Sequence, residues 1–425
     1  KRNQFIFMLK ILVVSKYDKD GGAAIAAYRM HKSLLSSGVH SRMLVQKKVT
    51  GDYTVVGPVS IIQRLLGSIS YYIDQLPVYF YKNKSAYLFS TAWFSSGDIL
   101  RRINKFSPDI VHLHWSCKGM ISIRDMAKIK SPVVLTMHDS WSFTGGCHIP
   151  WECKKYLAGC GTCPELGSTI RHDLSSRIFN RKLKLYTQKK DITVVAVSKW
   201  LQSCAQESAL FKRKDVQCIP NALDTNDFFP VDKTLAKSIL NLDPKKKLIL
   251  FGAISAISDL NKGFEELSTA LNQLSGIDTE IAIFGGDRPE EERTSKYKIH
   301  YFGHLHDSIS LKILYSAADV MVVPSLMEAF GQTASESMSC GTPVVAFNTT
   351  GLRDIVDHKI NGYLARAFDT GDLSKGIEWV LLAENYEELS KNARNKALKE
   401  FDGGVIANKY ISLYKKCLDF SKSKG

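Results

Sequence analysis

Short apolar runs recur along the chain, with helix-patterned segments between them. Ile11 to Val14, Ser41 to Gln46, Asp109 to His114, Val133 to Met137 and Ile192 to Val197 are each mostly apolar. Such near-continuous runs suit parallel strands buried on both faces. The second half repeats the theme at Lys247 to Gly252, Glu280 to Phe284, His300 to Phe302, Asp319 to Val323 and Thr342 to Ala346. Strand–helix alternation in both halves predicts an α/β chain of two doubly wound domains. Turn residues follow the strand-like Val216 to Ile219 and place the boundary near Asp224, giving domains 1–224 and 225–404. The closing segment, Val405 to Phe420, is patterned as a helix.

Residues 55 to 105 break the alternation. Ile61, Ile62, Leu65, Leu66, Ile69, Tyr72 and Ile73 fall on one helical face, and Arg64, Ser68, Ser70 and Asp74 fall on the other. Pro77 is expected to end this helix. An aromatic-rich stretch follows, including Tyr79, Phe80, Tyr81, Tyr87, Phe89, Trp93 and Phe94. Two readings fit: a helix docked on the domain through its apolar face, or an interfacial element that enters lipid headgroups.

Composition adds an asymmetry of charge. The 425 residues are 44% hydrophobic and 23% charged, with a net charge of +15. The first 225 carry 33 Lys+Arg against 15 Asp+Glu, and the remainder 24 against 27. The first half is therefore suited to an anionic partner. No stretch is apolar enough to span a bilayer. No leader pattern precedes the first strand, so the expected compartment is the cytosol. Four of the nine cysteines cluster at Cys147, Cys153, Cys160 and Cys163. The ending Cys160-Gly161-Thr162-Cys163-Pro164 has the spacing of a two-thiolate metal turn, with His148 and His172 as spare ligands. Structural zinc, free thiols and disulfides all remain open for this cluster, with disulfides disfavoured by a reducing compartment.

Two glutamates eight residues apart carry the strongest chemical signal. Glu328 follows the Asp319 to Val323 strand, and Phe330 and Gly331 form a turn. Gln332 to Ser339 reads as a helix with Glu336 one turn in. The free N–H groups at that helix start would favour an anion lying between the carboxylates. Gly21 and Gly22 offer close backbone approach at another helix start, without the third glycine of a dinucleotide fingerprint. Lys262, next to Gly263, could neutralise a leaving diphosphate. His138 lies just past a strand end, where doubly wound sheets bind ligands, and His112 and His114 end the preceding strand beside Trp115.

These motifs resemble the family-4 retaining glycosyltransferases of GT-B fold, over nearly the whole length. The residues that carry the likeness are Gly21 and Gly22 with their helix, Thr136-Met137-His138, Val197-Ser198-Lys199-Trp200, Ile219-Pro220-Asn221, Lys262-Gly263, Glu328 through Glu336, and Gly341 through Val345. The Gly21-Gly22-Ala23-Ala24 start, His112-Leu113-His114-Trp115 and the cysteine segment look like the branch acting in colanic acid, capsule and O-antigen assembly. The resemblance implies two Rossmann-like domains facing each other across a cleft, with the C-terminal helix, 405–425, returning to the first. It implies a UDP- or GDP-sugar donor in the second domain and a lipid-linked glycan acceptor at the first. It assigns Glu328 to the transferred sugar, Glu336 to the ribose, Lys262 to the diphosphate, and His138 to the sugar's 6-hydroxyl. Gly21, Gly22, Ala329, Phe330, Gly331 and Gln332 would line the donor, and His112, His114 and Trp115 the acceptor side. Front-face transfer with retention would need no catalytic metal or other cofactor. The expected location is the inner face of the cytoplasmic membrane, on anionic lipid, with no nucleic-acid partner. A GT-B epimerase and an inactive nucleotide-sugar-binding scaffold are the rival readings. Two positions depart from the family pattern. Ala253 stands where an arginine is usual, and Asp354, after Gly351, stands where a glutamate is usual.

Overall fold

The computed structural model describes residues 9–286 and 296–422. The chain forms two compact units. One runs to Pro220 and resumes at Ile406, and the other is Asn221–Val405. Residues 221 to 224 belong to the second unit because the backbone of Leu223 pairs with Phe401 and Gly403, at 2.8 and 2.9 Å.

The first unit holds a seven-stranded parallel sheet: β1 (Lys10–Tyr17), β2 (His40–Lys47), β3 (Val55–Val56), β4 (Ile110–Leu113), β5 (Val133–Met137), β6 (Ile192–Ala196) and β7 (Val216–Cys218). Its strand order is β3-β2-β1-β4-β5-β6-β7. The second unit holds β8 (Lys247–Gly252), β9 (Thr279–Phe284), β10 (Ile299–Tyr301), β11 (Val320–Val323), β12 (Val344–Phe347) and β13 (Gly362–Ala365), in the order β10-β9-β8-β11-β12-β13. Each order reverses next to its first strand, so each sheet is doubly wound. The switch points lie between β1 and β4 and between β8 and β11, and in such sheets ligands bind outside the carboxyl ends at that place. The central strands are buried throughout; Ile249, Phe251, Ile281, Ile283, Val320 and Val322 join one core cluster.

The C-terminal helix, Gly403–Lys422, buries Ile406, Tyr410, Leu413, Tyr414 and Cys417 along one stripe of the first unit. Its two tyrosines also satisfy polar groups in the sheet. Tyr410 meets Thr136 Oγ1 at 2.8 Å and Tyr414 meets His112 Nδ1 at 2.7 Å. His112 is fully buried, and its Nε2 meets Thr136 Oγ1 at 2.8 Å. Burial and then the neighbouring His138 pull the His112 imidazole down to about 3, so it is neutral at ordinary pH.

The helix expected to stop at Pro77 continues, spanning Ile61–Tyr79 with the proline inside. A helical proline leaves the carbonyl four residues back without its N–H partner. That carbonyl, Ile73 O, accepts from Trp93 Nε1 at 3.2 Å instead. The helix also packs the reverse of an ordinary docked helix. Ser70, Asp74 and Val78 are buried, while Ile61, Ile62, Leu65, Ile69, Tyr72, Leu76 and Tyr79 are exposed. Buried Asp74 accepts from Thr91 Oγ1 at 2.8 Å and from the Trp93 amide at 3.0 Å.

Replacing Tyr414 with Phe removes one hydroxyl and leaves a buried ring nitrogen of His112 unpaired. An unsatisfied buried group costs about 1–3 kcal/mol. Urea unfolding of the Tyr414→Phe chain should show a loss of that size in the first unit; an unchanged midpoint would mean the contact contributes nothing.

Candidate functional site

At the second switch point two loops meet. One follows β8 and ends in the short turn Leu260–Lys262; the other follows β11 and carries Glu328. Asn261 joins them. Its side-chain amide donates to Met327 O at 2.8 Å, its side-chain oxygen accepts from the Met327 amide at 2.9 Å, and its own carbonyl accepts from the Leu326 amide at 3.0 Å. Asp259 fixes the turn by accepting from the Asn261 amide at 3.0 Å. Gly263 ends it at φ 76°, where a Cβ would lie 2.0 Å from Pro324 O. Only glycine fits a position with both that dihedral and that contact.

This clamp brings Lys262 Nζ to 3.0 Å from Glu328 Oε2. Both side chains are about one-fifth exposed, enough to meet a ligand. Glu328, and its hydrogen bond, hold the lysine ammonium above its ordinary range against the pull of burial. The Glu328 amide donates to Thr350 Oγ1 at 3.0 Å, and its carbonyl accepts from the Gly351 amide at 2.8 Å. The backbone that carries the carboxylate is therefore held on two sides.

The helix Gln332–Ser339 begins three residues after Glu328's neighbour Ala329. Its N-cap is Gly331, at φ 106°, with no side-chain cap and no acid in the first turn. The start of the helix thus presents positive potential next to the Lys262–Glu328 pair in sequence. Phe330 is buried and packs edge-on against Phe401, centroids 5.5 Å apart, so its side chain is part of the core and not of a ligand surface. Glu336 is only 6% exposed, and its Oε2 accepts from Tyr315 Oη at 2.7 Å. The two glutamates are therefore unlike: one faces a lysine at a strand end, and the other is buried in a helix and held by a tyrosine.

In the first unit the histidines also divide. His138 Nε2 lies 2.8 Å from His114 Nδ1, with the rings stacked at 5.1 Å. Burial pulls His138 down to about 4 and His114 well below its ordinary range, so both are neutral at physiological pH. His138 keeps partial exposure, whereas His114 is 4% exposed and His112 fully buried. The expectation that His112 and His114 line an acceptor surface is thus corrected. His112 braces the C-terminal helix and His114 backs His138. Trp115 remains partly exposed, its indole donating to Asp139 Oδ2 at 3.1 Å. Gly21 caps the helix Gly22–Ser36 at φ 92°, with no side-chain cap and no acid in the first turn.

Cys147, Cys153, Cys160 and Cys163 line one pocket, and all four are free thiols. Burial pushes Cys160 up to about 12 and Cys163 up to about 11. Among the described residues no three His, Cys, Asp or Glu side chains are gathered as a metal-holding group. His148 is not a spare ligand, because Asp139 Oδ2 and Ser90 Oγ take its two nitrogens at 2.7 and 2.8 Å.

Sequence reasoning missed Asn261 and Thr350. Their roles arise from hydrogen bonds to residues 66 and 22 positions away, which no local pattern reports. The alternation of Gly263 with a strand-end lysine was the available hint.

Comparison with known proteins places this geometry. A model described as Glycosyltransferase Family 4 matches residues 20–227, and one described as Glycosyl transferases group 1 matches residues 232–397. The chain is 25% identical over 334 residues to an uncharacterized glycosyltransferase of Methanocaldococcus jannaschii, covering 72% of this chain and 82% of the relative. It is 28% identical over 211 residues to the N,N'-diacetylbacillosaminyl-diphospho-undecaprenol alpha-1,3-N-acetylgalactosaminyltransferase of Campylobacter jejuni, covering 46% and 54%. Among solved structures, sucrose-phosphate synthase from Thermosynechococcus elongatus matches with a TM-score of 0.68 at 20% identity, over 96% of this chain and 98% of that one. Anabaena HepE, solved in complex with UDP-glucose, matches with a TM-score of 0.62 at 16% identity, over 96% and 100%. At these identities the likeness carries the fold, which is GT-B. Because the two family models match successive stretches that together take in most of the chain, the protein belongs to the glycosyltransferases of family 4 and group 1.

Proposed function

We propose that the protein transfers a sugar, with retention, from a nucleotide diphosphate donor to a lipid-linked oligosaccharide in bacterial surface polysaccharide synthesis. It would work at the inner face of the cytoplasmic membrane, as a peripheral protein. The observation that carries the reading is the Lys262–Glu328 pair at the β8–β11 switch point, clamped by Asn261. A donor diphosphate would compete with Glu328 for the Lys262 ammonium. The freed carboxylate would then hydrogen-bond the sugar, while the ammonium and the helix start at Gly331 balance the charge that develops on the leaving diphosphate. This arrangement does electrostatically what a divalent cation does elsewhere, so no metal is required for the transfer step. Glu336 would reach the ribose.

The membrane side of the reading is supported by the outward apolar face of Ile61–Tyr79 and by the basic first half of the chain. No helix among the described residues is long and apolar enough to cross a membrane. The Campylobacter relative, whose name specifies a diphospho-undecaprenol substrate, supports a lipid-linked acceptor. The Anabaena structure with UDP-glucose supports a nucleotide-sugar donor.

We also propose a structural zinc for the four-cysteine pocket, which would require the thiols to gather more closely than they stand. The support is Lys182. Its ammonium is fully buried, donates to Trp141 O and Thr144 O, and has no carboxylate at ion-pair distance among the described residues. Burial pulls Lys182 down to about 7, and a four-thiolate zinc, which carries net negative charge, would hold it in its charged form.

The reading is tested in three ways. Thermal melting with nucleotides and nucleotide sugars, without added divalent metal, should show a stabilising shift confined to one base; no shift with any would remove the donor site. Glu328→Ala and Lys262→Ala should each lower kcat by at least about a hundredfold while the chain keeps its melting temperature within a few degrees. Near-normal turnover in either would take that residue out of the reaction. Metal analysis should find about one zinc per chain, lost together with stability in Cys160→Ser. A metal-free protein of undiminished stability would sink the zinc assignment.

A further inference from the structure

Lys16 ends β1 and Lys118 follows β4, so both stand at the carboxyl ends that flank the switch point of the first sheet. Lys16 is only 5% exposed, yet no carboxylate lies at ion-pair distance from it or from Lys118 among the described residues. One proton of the Lys16 ammonium goes to Lys118 O at 2.5 Å. The Tyr71 ring stands 5.3 Å from the Lys16 ammonium and 5.7 Å from that of Lys118. The nearest acids do not neutralise the pair. Asp74 is committed to Thr91 and Trp93, and Asp20 is exposed to water. Burial, and then the Lys118 charge, pull the Lys16 ammonium down to about 8. Two lysines facing one tyrosine ring, with no carboxylate at ion-pair distance among the described residues, suit an anion.

The backbone is shaped to hold them there. Lys118 sits at φ 53°, in the left-handed region that a side chain rarely adopts. The next residue, Gly119, packs directly on the Ile61–Tyr79 helix: a Cβ there would lie 2.3 Å from Ser70 O and 2.8 Å from the Tyr71 amide nitrogen. The Ser70 hydroxyl is buried in that same contact region and has no hydrogen-bond partner. The loop that carries Lys118 is therefore packed against a helix whose apolar face is exposed. Ile69, Tyr72 and Leu76 of that face lie within about one and a half turns of Tyr71.

We propose that Lys16 and Lys118, with Tyr71 between them, form the subsite for the phosphate or diphosphate of the acceptor, whose long apolar chain runs along the exposed face of the Ile61–Tyr79 helix. This inference rests on the lipid-linked acceptor of the proposed function and gives that acceptor its place. Ordinary anionic phospholipid and free inorganic phosphate share the headgroup chemistry, and the test separates them.

The probe is farnesyl diphosphate, a short prenyl diphosphate that stays in solution, titrated calorimetrically into the full chain. Wild-type protein should bind it, and Lys118→Met should weaken binding at least about tenfold, the scale of a charge-assisted contact. Lys16→Met should do the same. If that buried substitution fails to fold, the partly exposed Lys118 variant decides the matter. Inorganic diphosphate should bind at least tenfold more weakly than the prenyl form, and phosphatidylglycerol vesicles should bind wild-type and Lys118→Met chains within about twofold of each other. The inference is overturned by an absence of farnesyl diphosphate binding, by its indifference to Lys118→Met, by equal binding of inorganic diphosphate, or by a parallel loss of vesicle binding. The nucleotide-induced thermal shift should persist in Lys118→Met. Its persistence alongside any of those negative results condemns the subsite alone, whereas its absence from the wild-type chain condemns the donor reading.

Discussion

A parallel sheet covered on both faces leaves its chemistry nowhere to go but the strand ends, and this constraint organises both units. The faces of β8 and β11 are filled with apolar side chains, and the histidine inside β4 is paired at both ring nitrogens. At the carboxyl ends the backbone turns outward, and the two reversals in strand order open the space beside those turns. The polar residues singled out in the sequence sit at these ends: Lys262 and Glu328 after β8 and β11, and His114 and Trp115 after β4.

The same constraint explains what could be read from the sequence and what could not. Strands buried on both faces advertise themselves as apolar runs, so β4, β5, β8 and β11 were visible to within a residue, while β1 runs three residues past the expected Val14. The short edge strand Val55–Val56 and the glycine-led Gly362–Ala365 are only half-buried, and neither carries such a run. Pro77 misled because the usual penalty of a helical proline is an orphaned carbonyl, and here a tryptophan sixteen residues later supplies the missing donor. The apolar stripe of that helix was legible, but its direction was not. A stripe predicts amphipathicity, while the buried Asp74 and its hydrogen bonds decide which face turns inward.

Histidines show the limit most clearly. His112, His114 and His138 stand at neighbouring strand ends; the sequence singled out His138 but left His112 and His114 alike. They are three different objects. His112 is a neutral core residue shared by Thr136 and Tyr414, which lies 302 positions away in sequence. His114 is buried against His138, which alone keeps part of its surface open. Only the return of the C-terminal helix makes the distinction, and no local pattern around His112 encodes the position of Tyr414. Asn261 is the counterpart in the second unit. It was invisible beside Lys262, yet it holds the lysine's loop to the glutamate's.

The two cationic centres differ in a way that bears on their work. Lys262 already has a carboxylate at 3.0 Å, which keeps it charged and placed. On the proposed donor site, a ligand anion would take that partner's place and release Glu328 to make contacts of its own, so that binding and activation of the carboxylate would be one event. Lys16 and Lys118 have no such carboxylate partner among the described residues. The left-handed backbone at Lys118 and the close approach that Gly119 permits fix the loop that carries the second lysine. An anion bound there, as proposed, would free no reactive group. The first arrangement suits a phosphate that leaves during the reaction, whereas the second suits one that stays bound while chemistry proceeds at the far end of the same molecule.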